Sequence, residues 1–190
     1  MRVFSGVIGT LLLLVGIVPV EARPGQPSAK TLYLLEDDKH EQWCAFREER
    51  EWKAEVESVS ALVVATATYV DGRLSVLEVT QQDEAGDWIV YDHYSLDQNG
   101  RISKLKRTIH VLPGDRSEDE VFLMVSGSPK KESAARRKLS TGEPVSGPDV
   151  WLPDVPIKTR IEAFPFFPLI NSAGTELRSK AKSCAQASQP

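Results

Sequence analysis

The side chains best suited to chemistry in this sequence are the acids Glu78 and Asp92 and the guanidinium of Arg107. Asn99-Gly100 separates two runs of strand-forming residues, a pattern that predicts a hairpin with a two-residue turn. In that register Asp92 faces Arg107 across the hairpin, and both lie among apolar and aromatic neighbours. We therefore predict an ion pair between Asp92 and Arg107 on the apolar face of a sheet.

Glu78 is expected to join this pair through a second hairpin, whose turn is the Asp71-Gly72 dipeptide. Pairing across that turn places Glu78 opposite Ala65, and an even register between the hairpins then sets it diagonal to Asp92. Two carboxylates beside one guanidinium can bind a polar ligand, hold one acid with a raised pKa for hydrolase-like catalysis, or form a structural ion-pair network. The predicted ligand-binding set is Glu78, Asp92, Arg107, Tyr69, Tyr94 and Trp88.

No other motif in the sequence supports catalysis or metal binding. The histidines His40, His93 and His110 are far apart along the chain and lack metal-ligand spacing. The stretch that begins at Ser95 has the outline of a calcium-binding loop, but Lys106 stands where that loop requires a bidentate glutamate. Phosphate-binding loops, Gly-x-Ser-x-Gly elbows and His-Glu-x-x-His motifs are absent from the sequence. We therefore predict no catalytic residue, no metal ligand and no cofactor.

The N-terminal segment predicts export. A short basic start and an apolar run over 3–20 precede a small-residue site ending at Ala22, so a signal peptide is expected over 1–22. The apolar run is shorter than the roughly 20 residues that span a membrane, and an uncleaved anchor helix is the alternative. The mature chain is then secreted or periplasmic, with no membrane span of its own. In such a compartment Cys44 and Cys184 are expected to form a disulfide.

The elements that would carry these side chains are mostly strands. After a linker over 23–35, an acid-rich segment predicts a helix from about 38 to 50. Residues with strand propensity and turn signals between them then mark five strands, which form an antiparallel meander. The strands cover 61–70, 73–80, 88–96, 101–112 and 120–126. This order contains no βαβ unit, which argues against a nucleotide-binding doubly wound fold.

Two later segments each admit a structural and a functional interpretation. The stretch 126–147 is expected to be a loop, and its basic cluster over 130–138 either balances the acidic stretch 36–57 or binds an anionic partner. Prolines among aromatic and aliphatic residues fill 148–170, which predicts an extended segment. So apolar a segment either lies across the sheet or forms a docking surface. Residues 171–190 are expected to be a tail that the disulfide pins.

Composition bounds the fold and the function. The chain has 190 residues, of which 41% are hydrophobic and 26% charged, values typical of one globular domain. Its net charge of −4 argues against a nucleic-acid partner. We expect a β-rich α+β fold over 36–170, with an N-terminal helix packed on a curved antiparallel meander of about five strands. The function classes are a non-catalytic module for a small ligand or an envelope protein, an assembly component docking through 148–170, and a hydrolase-like enzyme using Glu78 and Asp92.

Overall fold

The computed structural model describes residues 29–36, 42–59, 61–146, 152–172 and 182–186. These residues form one antiparallel sheet of nine strands, one longer helix, one short helix and a 3-10 turn. The strands are β1 (Ala29–Glu36), β2 (Gln42–Phe46), β3 (Val63–Val70), β4 (Arg73–Gln82), β5 (Trp88–Leu96), β6 (Ile102–Val111), β7 (Arg116–Val125), β8 (Ser128–Lys138) and β9 (Lys182–Gln186). The helices are α1 (Glu49–Ser58) and α2 (Phe167–Ser172), and the 3-10 turn is Ile161–Ala163. The β-rich class is confirmed, and the expectation of about five strands is wrong.

The sheet combines a local meander with strands from both ends of the described chain. Strands β3 to β8 follow one another, so each pairs with the next strand in sequence. Strand β1 pairs with β3 on the other side, β2 pairs with β1, and β9 lies at the edge beside β2. The five predicted runs correspond to β3 through β7. The remaining four strands widen the sheet at both edges.

The start of the described chain differs most from the sequence-based expectation. The linker expected over 23–35 overlaps β1, and β2 lies inside the helix expected over 38–50. In β2, Trp43 and Ala45 are buried in one core cluster while Cys44 and Phe46 are buried in another. Alternate residues of a strand point to opposite faces, so four consecutive buried residues fit a strand that is covered on both sides. The helix forms later, as α1.

Both predicted turns form at the predicted dipeptides, with different geometry. Asp71 and Gly72 have φ values of 50° and 78°, as a two-residue turn between twisted strands requires. At the second turn Gly100, with φ of 75°, is the residue that adopts positive φ. That turn is wider than predicted, because Leu96 pairs with Ile102 after a one-residue register shift.

Strand β8 replaces the loop expected over 126–147. Ser126 and Gly127 both have positive φ and form a tight turn between β7 and β8. The basic side chains of β8 pair with acids on the neighbouring strand β7 rather than with the acidic stretch 36–57. These ion pairs are Arg136–Glu118, Lys131–Glu120 and Arg137–Asp119. The basic cluster is therefore largely neutralised within its own hairpin.

The two faces of the sheet are covered differently. On the packed face lies the main core, over which the strap, defined here as residues 152–172, runs across the strands. On the opposite face, called the open face, α1 packs through Trp52 and Val56 against Leu35 and Phe46. Every open-face side chain of β4 to β7 is at least partly exposed. The open face is thus available to a ligand over a large part of its area.

The strap is a core element. Phe164, Phe166, Leu169 and Ile170 are each less than 5% exposed, and the ring centroid of Phe166 lies 4.7 Å from that of Trp43. This burial follows the first of the two interpretations of 148–170, in which the segment lies across the sheet. Because these four side chains are buried, they do not form the docking surface that was the alternative expectation. Residues 148–151 of the segment lie outside the described residues.

The disulfide between Cys44 and Cys184 is confirmed. The two cysteines are direct cross-strand partners in β2 and β9, so the bridge lies within the sheet and attaches its edge strand. The expected C-terminal tail over 171–190 thereby contributes a strand. Within the described part of the chain, no helix is long and apolar enough to cross a membrane.

Candidate functional site

The predicted pair of Asp92 and Arg107 forms on the packed face. The two residues are direct partners of β5 and β6, and the guanidinium donates two hydrogen bonds of 2.7 Å to the two carboxylate oxygens. The side chains are 1% and 6% exposed. Burial by itself lowers the pKa of Arg107, but the hydrogen bonds and charge of Asp92 offset this effect and raise the pKa above its ordinary value. The two side chains therefore form a buried bidentate pair.

The strap and one tyrosine complete the hydrogen bonding of this pair. Arg107 Nη1 donates a 2.7 Å hydrogen bond to the carbonyl of Val155, and the Tyr94 hydroxyl donates a 3.1 Å bond to Asp92 Oδ2. Burial, followed by the charge of Asp92, raises the pKa of Tyr94. Val155 and Trp88 both pack against the adjacent apolar cluster of Val90, Ile109 and Val111. This saturated geometry favours the structural ion-pair network over a ligand pocket at Asp92 and Arg107.

Glu78 does not join the pair, because the register predicted for its strand is wrong. A bulge between Thr68 and Tyr69 shifts the β3–β4 pairing by one residue. Glu78 then pairs with Thr66 instead of Ala65. The pairing between β4 and β5 also differs from the even register that we predicted, and it sets Glu78 opposite His93. Since a one-residue slip moves every side chain to the opposite face, Glu78 lies on the open face and Asp92 on the packed face.

The physical reason for the bulge is burial of apolar surface. Leu77 is fully buried and Val79 is 3% exposed on the packed face, which leaves Glu78 between them to face solvent. The predicted register would have buried Glu78 and exposed both aliphatic side chains, an unfavourable exchange. Because the sheet separates Glu78 from Asp92, the two carboxylates cannot act on one substrate as the hydrolase-like hypothesis required.

Tyr69 lies apart from the other predicted site residues. Its hydroxyl donates a 2.6 Å hydrogen bond to the carbonyl of Ile170, and burial raises its pKa. It borders a depression of about 370 Å³ between the strap and the turns at Gly72 and Gly100. Tyr69 thus anchors α2 to the sheet. Of the six predicted residues, the structure brings together Asp92, Arg107 and Tyr94, with Trp88 close to them.

The described residues instead form a groove on the open face, with a volume of about 470 Å³. Two rows of side chains from β4, β5 and β6 make up its floor. One row is Glu78, His93 and Lys106, and the neighbouring row is Thr80, Tyr91 and Thr108. Trp52 of α1, Val64 and Thr66 border the groove on the β3 side. We call this set the open-face groove.

Hydrogen bonds hold two of its side chains in place. The Thr66 hydroxyl donates a 3.0 Å hydrogen bond to Glu78 Oε2, and His93 Nδ1 lies 3.1 Å from Glu78 Oε1. With Nδ1 donating to the carboxylate, His93 presents Nε2 to the groove. The side chains of Glu78 and His93 are 57% and 39% exposed, so they remain accessible to a ligand. Among the described residues, no group of three or more His, Cys, Asp or Glu side chains is arranged to hold a metal ion.

The predicted site residues lie on the apolar face of the hairpin, whereas this groove lies on its polar face and was not predicted. The predicted register already paired His93 with Lys106 and Tyr91 with Thr108, as the structure has them. The available signal was this polar face, which carries an aromatic ring and a histidine. Glu78 could not be placed beside His93, because the two turn dipeptides do not fix the register between β4 and β5.

Comparisons with protein-family models, curated proteins and solved structures return no match.

Proposed function

We propose that the protein is an exported, non-catalytic binding module that holds a small polar ligand in the open-face groove. The observation that carries the proposal is a groove of about 470 Å³ in which Glu78 and His93 are already held by hydrogen bonds. Small-molecule sites have volumes of roughly 300–1,000 Å³, so the size fits. Side chains that are fixed before binding reduce the entropic cost of holding a ligand.

The lining favours a ligand that forms hydrogen bonds. The floor offers a carboxylate, an imidazole, an ammonium group and the hydroxyls of Thr80, Tyr91 and Thr108. Apolar surface also lines the groove, in part from Trp52 and Val64. Aromatic side chains among polar groups also provide a flat surface for an extended or ring-shaped ligand.

The hydrogen bonding of His93 favours ligand binding over catalysis as the role of the groove. An activated nucleophile requires a hydroxyl or thiol within hydrogen-bond distance of a base. Among the described residues, His93 has a hydrogen bond to Glu78 and none to a hydroxyl or thiol. A carboxylate–histidine pair of this kind can orient and bind a ligand without cleaving it.

Two features support export. The first is the signal-peptide pattern over 1–22, which lies outside the described residues. The second is the Cys44–Cys184 disulfide, because such bonds persist in oxidising compartments. We place the mature protein in the periplasm or outside the cell.

The test is an NMR titration of the mature protein with four probes: galactose, glucuronate, glutamate and lysine. We expect at least one probe to shift the resonances of Thr66, His93 and Lys106, with those of Phe166 in the packed core unchanged. Tyr91→Ala should weaken that binding, whereas Leu123→Ala, at an exposed position of β7, should not. If none of the four probes shifts the groove resonances at millimolar concentration, the proposal is rejected.

A further inference from the structure

The charge left unpaired in the open-face groove is positive. Both carboxylate oxygens of Glu78 already have partners, in Thr66 and His93. Lys106 is the direct cross-strand neighbour of His93, and no acidic side chain in the described part of the chain pairs with it. An ammonium group without an anion is a site for an anionic group, and the second ring nitrogen of the neighbouring imidazole can accept a hydrogen bond from a hydroxyl.

We infer that the groove binds a hydroxyl-rich monocarboxylate, a sugar acid of the hexuronate type. Its carboxylate lies on Lys106, one hydroxyl donates to Nε2 of His93, and the other hydroxyls donate to Glu78 and exchange hydrogen bonds with the threonines of the floor. This inference rests on the proposed function of the groove and adds the chemical class of its ligand.

The dimensions of the floor fit a single sugar ring. Glu78 and Lys106 lie on strands separated by β5, so their backbones are about two strand spacings, roughly 10 Å, apart. His93 is the direct cross-strand neighbour of both, and one ring with an exocyclic carboxylate is long enough to bridge this span. Tyr91, 40% exposed in the adjacent row, offers an aromatic face to the apolar side of that ring.

The charge balance favours a monoanion over a phosphate. Lys106 is the one full positive charge on the floor, and the carboxylate of Glu78 lies in the same row. A dianionic phosphate would be neutralised only in part by Lys106 and would be repelled by Glu78. A single carboxylate matches the single ammonium group, and the remaining hydroxyls of a sugar suit the acceptor at Glu78.

The experiment compares glucuronate with glucose by calorimetry, because the two ligands share their ring hydroxyls and differ in the carboxylate. We expect glucuronate to bind the wild-type protein at least about tenfold more tightly, as for one charge-assisted hydrogen bond. Lys106→Gln should abolish this preference, and Lys106→Arg should retain part of it. Lys130→Gln, a change at an exposed lysine of edge strand β8, should leave it unchanged.

The outcomes separate the inference from the proposed function. Equal affinity for glucose and glucuronate, or tighter binding of inorganic phosphate than of glucuronate, would overturn the inference while the groove remained a binding site. A glucuronate preference that survives in Lys106→Gln would also overturn it. Absence of binding by all four probes named above would reject the binding function itself.

Discussion

The packed face of the sheet buries four charged side chains among the described residues, Asp92, Arg107, Glu118 and Glu120. A buried charge is tolerated when a partner and hydrogen bonds replace its hydration. Asp92 and Arg107 satisfy each other, and the two glutamates are paired with basic residues of β8. Each single charge therefore depends on its partner.

The first prediction concerns the Asp92–Arg107 pair. Asp92→Ala or Arg107→Ala should each lower the free energy of unfolding by about 3–5 kcal/mol, because a buried charge is left alone. Replacing both by Leu and Met should recover much of this loss. About 1–3 kcal/mol should remain lost, because the Val155 carbonyl and the Tyr94 hydroxyl lose their partners. Urea unfolding of the four proteins measures these values.

The matched control is the exposed pair of Lys53 and Glu49 on α1, with an N–O distance of 2.6 Å. Glu49→Ala should leave the unfolding midpoint unchanged within error, since exposed pairs contribute little. Small and additive effects of the two single changes at Asp92 and Arg107 would contradict the buried pair.

A second residue-scale prediction concerns pH. The backbone amides of Arg101 and Asn99 donate to the carboxylate of Asp97 and lower its pKa. The ionised form is thus favoured in the folded protein, so this contribution to stability is complete above the ordinary pKa of an aspartate and is lost as pH falls through the lowered value. The difference in urea midpoint between wild type and Asp97→Asn should therefore shrink on acidification from pH 7 to pH 2.

Asp154→Asn, at an exposed position of the strap, provides the control for that titration. Its difference from wild type should not follow the pH profile seen for Asp97→Asn. A midpoint difference for Asp97→Asn that stays constant over the whole pH range would show that the turn does not depend on the carboxylate charge.

At the scale of elements, one edge of the sheet is formed by strands whose pairing partners include residues distant in sequence. β9 pairs with β2 alone in the sheet, and β2 in turn pairs with β1. The Cys44–Cys184 bridge closes a sequence separation of 140 residues. The disulfide therefore attaches an edge strand that five residues of pairing would hold only weakly.

The third prediction is that Cys44→Ser/Cys184→Ser loosens this edge locally. In the chain-entropy model, loss of so long a closed loop lowers the free energy of unfolding by up to about 5 kcal/mol. By hydrogen exchange, the amides of Gln42–Phe46 should lose protection more than those of Tyr94 and Leu105 in the centre of the sheet. Equal protection of β2 in the bridged and unbridged proteins would show that pairing alone holds β9.

At the scale of the whole molecule, the two faces of the sheet have different roles. The packed face is filled by the strap, and its charges are satisfied internally. The open face carries the groove, whose polar side chains stay accessible next to α1. The packed face thus stabilises the fold, and the open face carries the groove in which we propose that the ligand binds.

The fourth prediction concerns the mature molecule. If residues 1–22 are a signal peptide, the exported protein begins at Arg23. N-terminal sequencing and intact mass of the protein from the exported fraction should show that start, with a further loss of two hydrogens for the disulfide. Recovery of the chain with Met1 intact in the membrane fraction would instead indicate an uncleaved anchor.

The sequence by itself determined the features that depend on near neighbours. The Asp71-Gly72 and Asn99-Gly100 turns, strands β3 to β7 and the Asp92–Arg107 pairing follow from local turn chemistry and from runs of strand-forming residues. The disulfide followed from two isolated cysteines in a chain for which the sequence predicts export.

The tertiary structure decided the features that depend on residues distant in sequence, namely the strand β2 and the register of β4. β2 has no strand pattern of its own and is a strand because both of its faces are covered. The bulge at Thr68/Tyr69 lets β4 bury Leu77 and Val79, and the register between β4 and β5 places Glu78 beside His93. A one-residue shift changes the face of every side chain that follows, so the composition of the groove was settled by packing across the sheet.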